Sequence, residues 1–510
     1  MELKAVKADV TRVETAALVV NLYQGVKKPG GATGAVDRAL GGQLSELIAE
    51  GEITGKAGEV TIVHAAGRIP ARRVVVVGLG KKEECGLEVV RRAMGAATRR
   101  LLEHGITRFH TILHGGAGLS DGADTREIGQ AIVEAAAMAG FRDERYKTVE
   151  PQEEPGRTEP REKKELEALT VVEADGRKLA ALRRGLDRGE KIARAVNYTR
   201  RLGNTPPNEM NPERLAEHAR ELAREHGLEC EVLDRGELEQ RKMGGILGVG
   251  AGSVNDPRLI VLRYRGAAKS ARPTAIVGKA VTFDTGGVSL KPAARMEDMK
   301  YDKMGGCAVL GILKAAALLR LKRNLIGVVP AAENMPSGTA YRPGDILRSY
   351  SGKTIEVINT DAEGRLILAD ALAWAAEQEP REIIDLATLT GACVVALADT
   401  ATGAFGDEQL IDRIVDAGKR TGDRAWPLPV YPEFGDKMKS EVADIKNSSG
   451  NAWGGASNAA AFLKFFVKDG IPWVHLDIAG TAWVNKPKAY HPQGATGAGV
   501  RLVIEYLSRR

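Results

Sequence analysis

The chain reads as an α/β protein in which a small N-terminal α/β domain precedes a larger one, whose mixed sheet is sandwiched by helices. Three observations predict this. Apolar runs of strand length alternate with segments that are apolar at helical spacing. Glycines gather directly after the strand runs, as at Gly286-Gly287 and Gly305-Gly306, where open α/β sheets carry their ligand-facing loops. At 510 residues the chain is also long enough to build more than one core.

The elements follow in order. Residues 1–176 are expected to form the first domain. Arg73–Gly78 (RVVVVG) has the pattern of a buried strand, and Leu87–His104 and Glu127–Ala139 have the spacing of amphipathic helices. This part lacks the clustered acids and bases that hydrolytic chemistry needs. The Pro-rich, charged stretch Glu150–Lys164 is expected to be an exposed loop near its end. Arg177–Leu202 is proline-free and rich in Leu, Ala, Arg and Glu, so residues 177–203 are expected to form a connecting helix, stopped by Gly203-Asn204-Thr205-Pro206-Pro207-Asn208. Asn211-Pro212-Glu213 starts the next helix, with a capping side chain before a proline at the first helical position. Residues 204–510 form the larger domain. Its strands are expected at Thr274–Asp284, Leu325–Ala332, Ile355–Asn359 and Glu382–Leu389, and helices at Gly305–Leu321 and Glu363–Ala376.

Composition narrows the class. The chain is 43% hydrophobic and 27% charged, ordinary for a globular protein. A net charge of +6 on so long a chain does not by itself call for nucleic acid. The four cysteines form no CxxC pair, which argues against a disulfide framework and a thiolate zinc site. No apolar run reaches bilayer-spanning length and no signal core opens the chain, so a cytoplasmic location without membrane contact is the expectation. On that expectation the sequons at Asn197 and Asn447 are chance matches.

Two stretches carry chemistry, Val277–Gly306 (VGKAVTFDTGGVSLKPAARMEDMKYDKMGG) and Asn359–Leu366 (NTDAEGRL). They place Lys279, Asp284, Lys291, Asp302, Asp361, Glu363 and Arg365 at or just beyond strand ends. In extended chain Asp361 and Glu363 would point to the same side. Asp284 runs into Gly286-Gly287, which permits close backbone approach. If these acids converge, each close pair costs roughly 4 kcal/mol at about 4 Å and an effective dielectric near 20. Cations are then needed to hold them ionised, and hard oxygen ligands suit Mg, Mn or Zn. Taken singly, each element has an ordinary structural reading: a DxE is usually a solvated helix start, Asp302 a surface acid, and Lys279 a snorkelling side chain.

Together the two stretches resemble the leucine (cytosol) aminopeptidase family, whose signature NTDAEGRL stands complete at Asn359–Leu366. The VGK, TFD, GG, KP, MK and D blocks of the first stretch match as well. So do Asn204–Met210 (NTPPNEM) and Asp385–Gly391 (DLATLTG); Thr285 and Cys307 are small departures. The resemblance spans roughly Arg177 to the C-terminus. It implies a metal-dependent aminopeptidase that releases N-terminal, leucine-like residues from peptides by a metal-activated water. It implies that Lys279, Asp284, Asp302, Asp361 and Glu363 hold two divalent ions, Mn or Zn, with Asp284 and Glu363 bridging. Four carboxylates balance two such ions, so the liganding lysine would be neutral. Lys291 and Arg365 would be the catalytic pair, Lys291 stabilising the oxyanion and Arg365 holding a bicarbonate. Met299, Asn359, Thr388 and Gly391 would line the pocket for the first residue. Self-association as a homohexamer is implied too.

Other patterns fail. Ser351-Gly-Lys-Thr354 lacks the first glycine of a phosphate-binding loop, having Leu347 there, and Glu83 replaces the third glycine of a dinucleotide fingerprint after Gly78-Leu-Gly80. Both read as turns. There is no HExxH and no GxSxG, and His475 reads as a buried strand histidine. Two further functions stay compatible with the residues. A two-metal phosphoesterase would cleave phosphate esters and not aminoacyl anilides. An additional DNA-binding or regulatory role would show as salt-dependent duplex binding by a catalytically dead protein.

Overall fold

The computed structural model describes residues 1–116, 118–148 and 165–509. The stretch expected as an exposed loop, Glu150–Lys164, lies outside the described residues. The chain divides into two compact units. One comprises Met1–Arg194 with Lys486–Pro492, the other Ala195–Asn485 with Gln493–Arg510.

The first unit is built on β1 (Glu2–Lys7), β2 (Leu18–Leu22), β3 (Val60–His64), β4 (Arg73–Gly78), β5 (Arg108–Ile112) and β6 (Ala168–Glu173). They form one sheet in the order β1-β6-β5-β2-β4-β3, parallel except for the edge strand β3. The strands β2 and β4 are apolar on both faces, as a covered parallel sheet requires. Helices Leu87–Glu103 and Thr125–Ala139 pack together. The second starts in a capping box in which Asp124 and Glu127 satisfy each other's backbone N–H.

In the second unit, Asn211 caps helix Pro212–His226 by accepting from the N–H of Arg214 at 2.9 Å. The strands are β7 (Glu229–Leu233), β8 (Arg258–Arg265), β9 (Thr274–Gly278), β10 (Ala280–Asp284), β11 (Asn324–Asn334), β12 (Ile346–Arg348), β13 (Thr354–Glu356), β14 (Glu382–Ala387), β15 (Thr402–Gly406), β16 (Ala425–Pro427), β17 (Ile445–Lys446) and β18 (Trp473–Asp477). The main sheet runs β16-β15-β18-β14-β9-β11-β8-β7, with β10 also on β11. Its centre, β18-β14-β9-β11, is parallel, while β8 is antiparallel to β11 and β15 to β18. The sheet is therefore mixed. Its core includes Val277, Val328, Ile367, Leu368 and Ile383 from strands and from helix Gly364–Glu377. A small sheet, β12-β13-β17, lies apart. The turn at Ser351-Gly352 joins β12 to β13, so SGKT is a hairpin turn.

The single strand expected over Thr274–Asp284 is interrupted. Both halves keep the same register on β11, with Val277 beside Val328 and Ala280 beside Ala331. The residue that continues that register opposite Lys279 is Pro330, which has no N–H to give a ladder. Lys279 instead donates its N–H to Leu386 at 3.0 Å and accepts from Gly306 at 2.7 Å. The expected strand Ile355–Asn359 also shortens to β13, and the chain from Val357 onward turns.

Candidate metal centre and active site

The break at Lys279 sends its side chain into a dense charged cluster. Its Nζ lies 2.8 Å from Asp302, 2.8 Å from Glu363 and 2.9 Å from the carbonyl of Thr388. Asp302 follows the short helical turn Met296–Tyr301 and accepts from the Thr388 hydroxyl at 2.7 Å. Its other oxygen, Oδ2, is buried without a hydrogen-bond partner among the described residues. Lys279 is 3% exposed. Lys291 is more accessible, its side chain 21% exposed, and pairs with Asp284 at 2.8 Å and with Asp361. One oxygen each of Asp284, Asp361 and Glu363 lie within 4.8 Å of one another.

Asp284 ends β10, where Gly286 donates to it at 2.9 Å and Asn334, at the end of β11, at 2.8 Å. The glycines are required there. Gly286 has φ +85°, and a Cβ on Gly287, at φ +66°, would meet Asn334 Oδ1 at 2.7 Å. Asp361 and Glu363 converge by a different route from the pleat expected of extended chain. Residues 358–363 form a turn, in which the Asn359 side chain accepts from the N–H of Asp361 at 2.8 Å. Asn447 staples this turn: its Oδ1 accepts from Ile358 at 2.8 Å and its Nδ2 donates to Asn359 at 2.7 Å. Glu363 then sits at the start of helix Gly364–Glu377.

The electrostatics follow from burial. Desolvation, with repulsion from Glu363, pushes Asp284 up to about 6, and burial raises Asp302 well above the carboxylate range. For Glu363 burial pulls upward too, but Lys279 and Lys291 outweigh it and hold the carboxyl low. Burial pulls the pKa of Lys279 down; the carboxylates of Asp302, Glu363 and Asp284 overcome it and raise it. Divalent ions among these acids would reverse that field. Burial lowers Arg365 to about 10. Its Nη1 donates to the Asn447 carbonyl at 2.8 Å, while its Nε is buried without a hydrogen-bond partner among the described residues.

The residues fit a metal: hard oxygen donors, an orphaned Asp302 oxygen, and more carboxylates than nearby lysines neutralise comfortably. The structure thus brings Lys279, Asp284, Lys291, Asp302, Asp361 and Glu363 into one contact network. Arg365 joins it through the Asn447-stapled turn. Among the expected pocket residues, Thr388 contacts both Lys279 and Asp302, and Asn359 supports Asp361. Gly391 opens helix Gly391–Leu397, where a Cβ would meet nothing within 4 Å, and Met299 is half-buried on the turn before Asp302.

Sequence reasoning missed Asn334, Asn447, Lys303 and Asp477. Asn334 closes an apolar strand, and Asn447 stands within a sequon-like triplet far downstream, so neither carried a signal. Lys303 is buried and donates to the carbonyls of Gly203 at 3.1 Å and Thr205 at 3.0 Å, tying the NTPPNEM block down. Asp477 accepts from Leu389 N–H at 3.1 Å and the Thr390 hydroxyl at 2.7 Å, and so shapes the loop carrying Thr388. His475 is fully buried on β18 and pairs with Asp385 at 2.6 Å, so Asp385 is committed to the sheet.

Known proteins resemble the chain over both units. Residues 197–504 match the cytosol aminopeptidase family catalytic domain, and residues 19–150 its N-terminal domain. A probable cytosol aminopeptidase of Geobacter sp. (strain M21) is 46% identical over 497 residues, 97% of each chain. One of Cenarchaeum symbiosum (strain A) is 42% identical over 518 residues, covering both chains completely. Among solved structures, a tomato leucine aminopeptidase mutant aligns with TM-score 0.86 at 31% identity, covering 100% of this chain and 97% of that one. A bottromycin maturation enzyme in complex with Mn gives TM-score 0.83 at 31% identity, covering 97% of this chain and 99% of that one. With matching models over both units and relatives alike along their full length, the chain belongs to the cytosol aminopeptidase family.

Proposed function

We propose that this protein is a metal-dependent aminopeptidase that removes N-terminal residues, leucine-like ones preferred, from peptides. The observation that carries the reading is the cluster of buried Asp284 and Glu363 with half-buried Asp361, beside one accessible and one inaccessible lysine, in a chain of this family. Lys279, Asp284, Asp302, Asp361 and Glu363 would hold two divalent cations, Mn or Zn. When bound, these ions supply Lewis acidity toward water and toward the carbonyl of the bond to be cleaved.

The chain's own groups supply the rest. Lys279 is almost inaccessible and held from three sides, which suits a fixed ligand more than a substrate contact. Lys291 reaches the same cluster from a more exposed position and would donate to the developing oxyanion. Arg365 keeps a buried Nε–H free of hydrogen-bond partners among the described residues, a donor suited to a small anion such as bicarbonate, which would relay a proton. Met299, Asn359, Thr388 and Gly391 would line the first-residue pocket. A homohexamer would bury apolar side chains such as Val395 and Trp453, exposed at 90% and 83%; sedimentation equilibrium measures that state.

Activity is tested by the substrate's free amine. Near its pKa of about 8 the α-amine offers a lone pair, and acetylation removes it by amide resonance without touching the scissile bond. Leucyl-anilide is expected to be hydrolysed and N-acetyl-leucyl-anilide to be left intact, with kcat/KM rising as the amine deprotonates. Comparable cleavage of the blocked substrate would reject the aminopeptidase reading.

A further inference from the structure

The first unit holds a cavity of about 900 Å³ that the peptidase chemistry does not use. It lies at the carboxyl ends of four adjacent parallel strands, lined by Lys7 at the end of β1, Asn21 on β2, Ile112 on β5 and Glu173 on β6. Its position follows from the topology. In the order β1-β6-β5-β2-β4-β3, the chain leaves β2 toward β3 and β4 but leaves β5 toward β6. Connections that diverge from neighbouring strands open a crevice, the place where open α/β sheets bind ligands.

Two glycine loops face this crevice. The one after β2 leads into helix Gly31–Ala39, whose amino end has Gly30 as cap and no side-chain acceptor. The one after β5 carries Gly115 and Gly116. A Cβ at Gly30, Gly31 or Gly116 would meet no atom within 4 Å, so main chain forms the wall there. Gly31 and Gly116 also have φ of +55° and +59°, which disfavours larger residues. Uncapped N–H groups at a helix start attract phosphate. The acids present are already engaged: Asp9 accepts from Thr11 at 2.9 Å, and Glu173 from Asp175 at 2.9 Å while pairing with Lys178 at 3.6 Å. Lys7 makes no ion pair among the described residues.

A buried pair sets a further donor. His114 is fully buried, and burial drops its pKa to about 3, so it is neutral. Its Nδ1 lies 3.2 Å from Asn21 Oδ1, an atom that can only accept, so Nδ1 carries the proton. With Oδ1 engaged, the Asn21 amide leaves its Nδ2 hydrogens for an acceptor in the cavity. The lining also includes the apolar side chains of Val10, Leu22, Val26 and Val172. A volume near 900 Å³ falls within the size of small-molecule sites.

We propose that this cavity is a second ligand site, which takes a nucleoside diphosphate or a sugar ester of one. The diphosphate lies against the amino end of helix Gly31–Ala39 and the Gly115-Gly116 turn, and the base against the apolar side chains of the lining. Isothermal titration of the metal-loaded protein with ADP, ADP-ribose and pyrophosphate tests it. Diphosphates also chelate divalent ions, so the variant Ala32→Asp locates the binding. An acid in the first helical turn favours the helix but repels a bound anion. Saturable binding of ADP or ADP-ribose is expected, weakened about tenfold or more in Ala32→Asp, with melting temperature and leucyl-anilide hydrolysis unchanged. Lys7→Glu, on the exposed rim, should weaken it in the same direction. No saturable binding of either nucleotide to the parent protein, binding that ignores both substitutions, or pyrophosphate held as tightly as ADP would overturn the proposal.

Discussion

At the scale of single residues, the two lysines of the cluster differ in access, and the proposed function gives them different roles on that ground. Lys279 is sealed among Asp302, Glu363 and the Thr388 carbonyl, whereas the Lys291 side chain is 21% exposed beside Asp284 and Asp361. Lys291→Ala should therefore lower turnover by about 10²–10³, the scale of losing one oxyanion donor, with bound metal unchanged. Glu363→Ala should instead lose metal and activity together, because its carboxylate is shared by the whole cluster. Metal analysis alongside steady-state kinetics separates the two. A Lys291 variant that has lost its metal would mean that the lysine roles are exchanged.

At the scale of elements, the site depends on how segments are joined. Helix Gly364–Glu377 begins directly over Lys279: a Cβ on Gly364 would lie 2.5 Å from Lys279 Cε and 2.7 Å from Nζ. Gly364→Ala should push the ammonium off its carboxylates and weaken metal binding by about 10–100-fold, with the fold intact. Competition with a calibrated chelator measures this, and unchanged affinity would contradict the packing argument. A second element-level consequence lies at the ends of β2 and β5, where His114 is buried and neutral with a pKa near 3. In the unfolded chain a histidine takes up a proton at about 6.5. Because the depressed base binds its proton less readily when folded, its contribution is present above pH ~6.5 and is lost as pH falls from there toward ~3. His114→Gln should flatten the decline in melting temperature of the first unit over that window. A parallel decline in both proteins would show that His114 does not drive it.

At the scale of the molecule, the carboxylate cluster belongs entirely to the unit Ala195–Asn485 with Gln493–Arg510. A ligand that binds only the folded state stabilises it by mass action, about 2.7 kcal/mol at a hundredfold excess over Kd. Chelation should therefore speed amide hydrogen exchange around Asp284–Lys291, Asp302–Gly306 and residues 358–366. Exchange in β1–β6 of the other unit should be unaffected. Equal acceleration in both would show that the stabilisation is not local. The two units also carry their chemistry differently. The second gathers side-chain charges, while the first holds a cavity lined by glycine loops at its strand ends.

The α/β class and most elements of the second unit were legible in the sequence because periodicity and capping are local. Asn211-Pro212 started its helix as spacing implies, and the NTDAEGRL block identified the family. Local patterns could not show three things. The strand over Thr274–Asp284 breaks at Lys279 because its neighbour in the ladder, Pro330, lacks an N–H, and strand neighbours are set by tertiary pairing. Asp361 and Glu363 converge through a turn stapled by Asn447, more than 80 residues away in the chain, a separation that period-two reasoning cannot span. The crevice in the first unit arises from the order of strands, in which β5 lies beside β2 although two other strands separate them in sequence. Sequence thus determined the family, the fold class and the elements on which the candidate residues sit. Which backbone and amide groups hold them in place was decided only when distant segments met, because a hydrogen bond depends on separation in space.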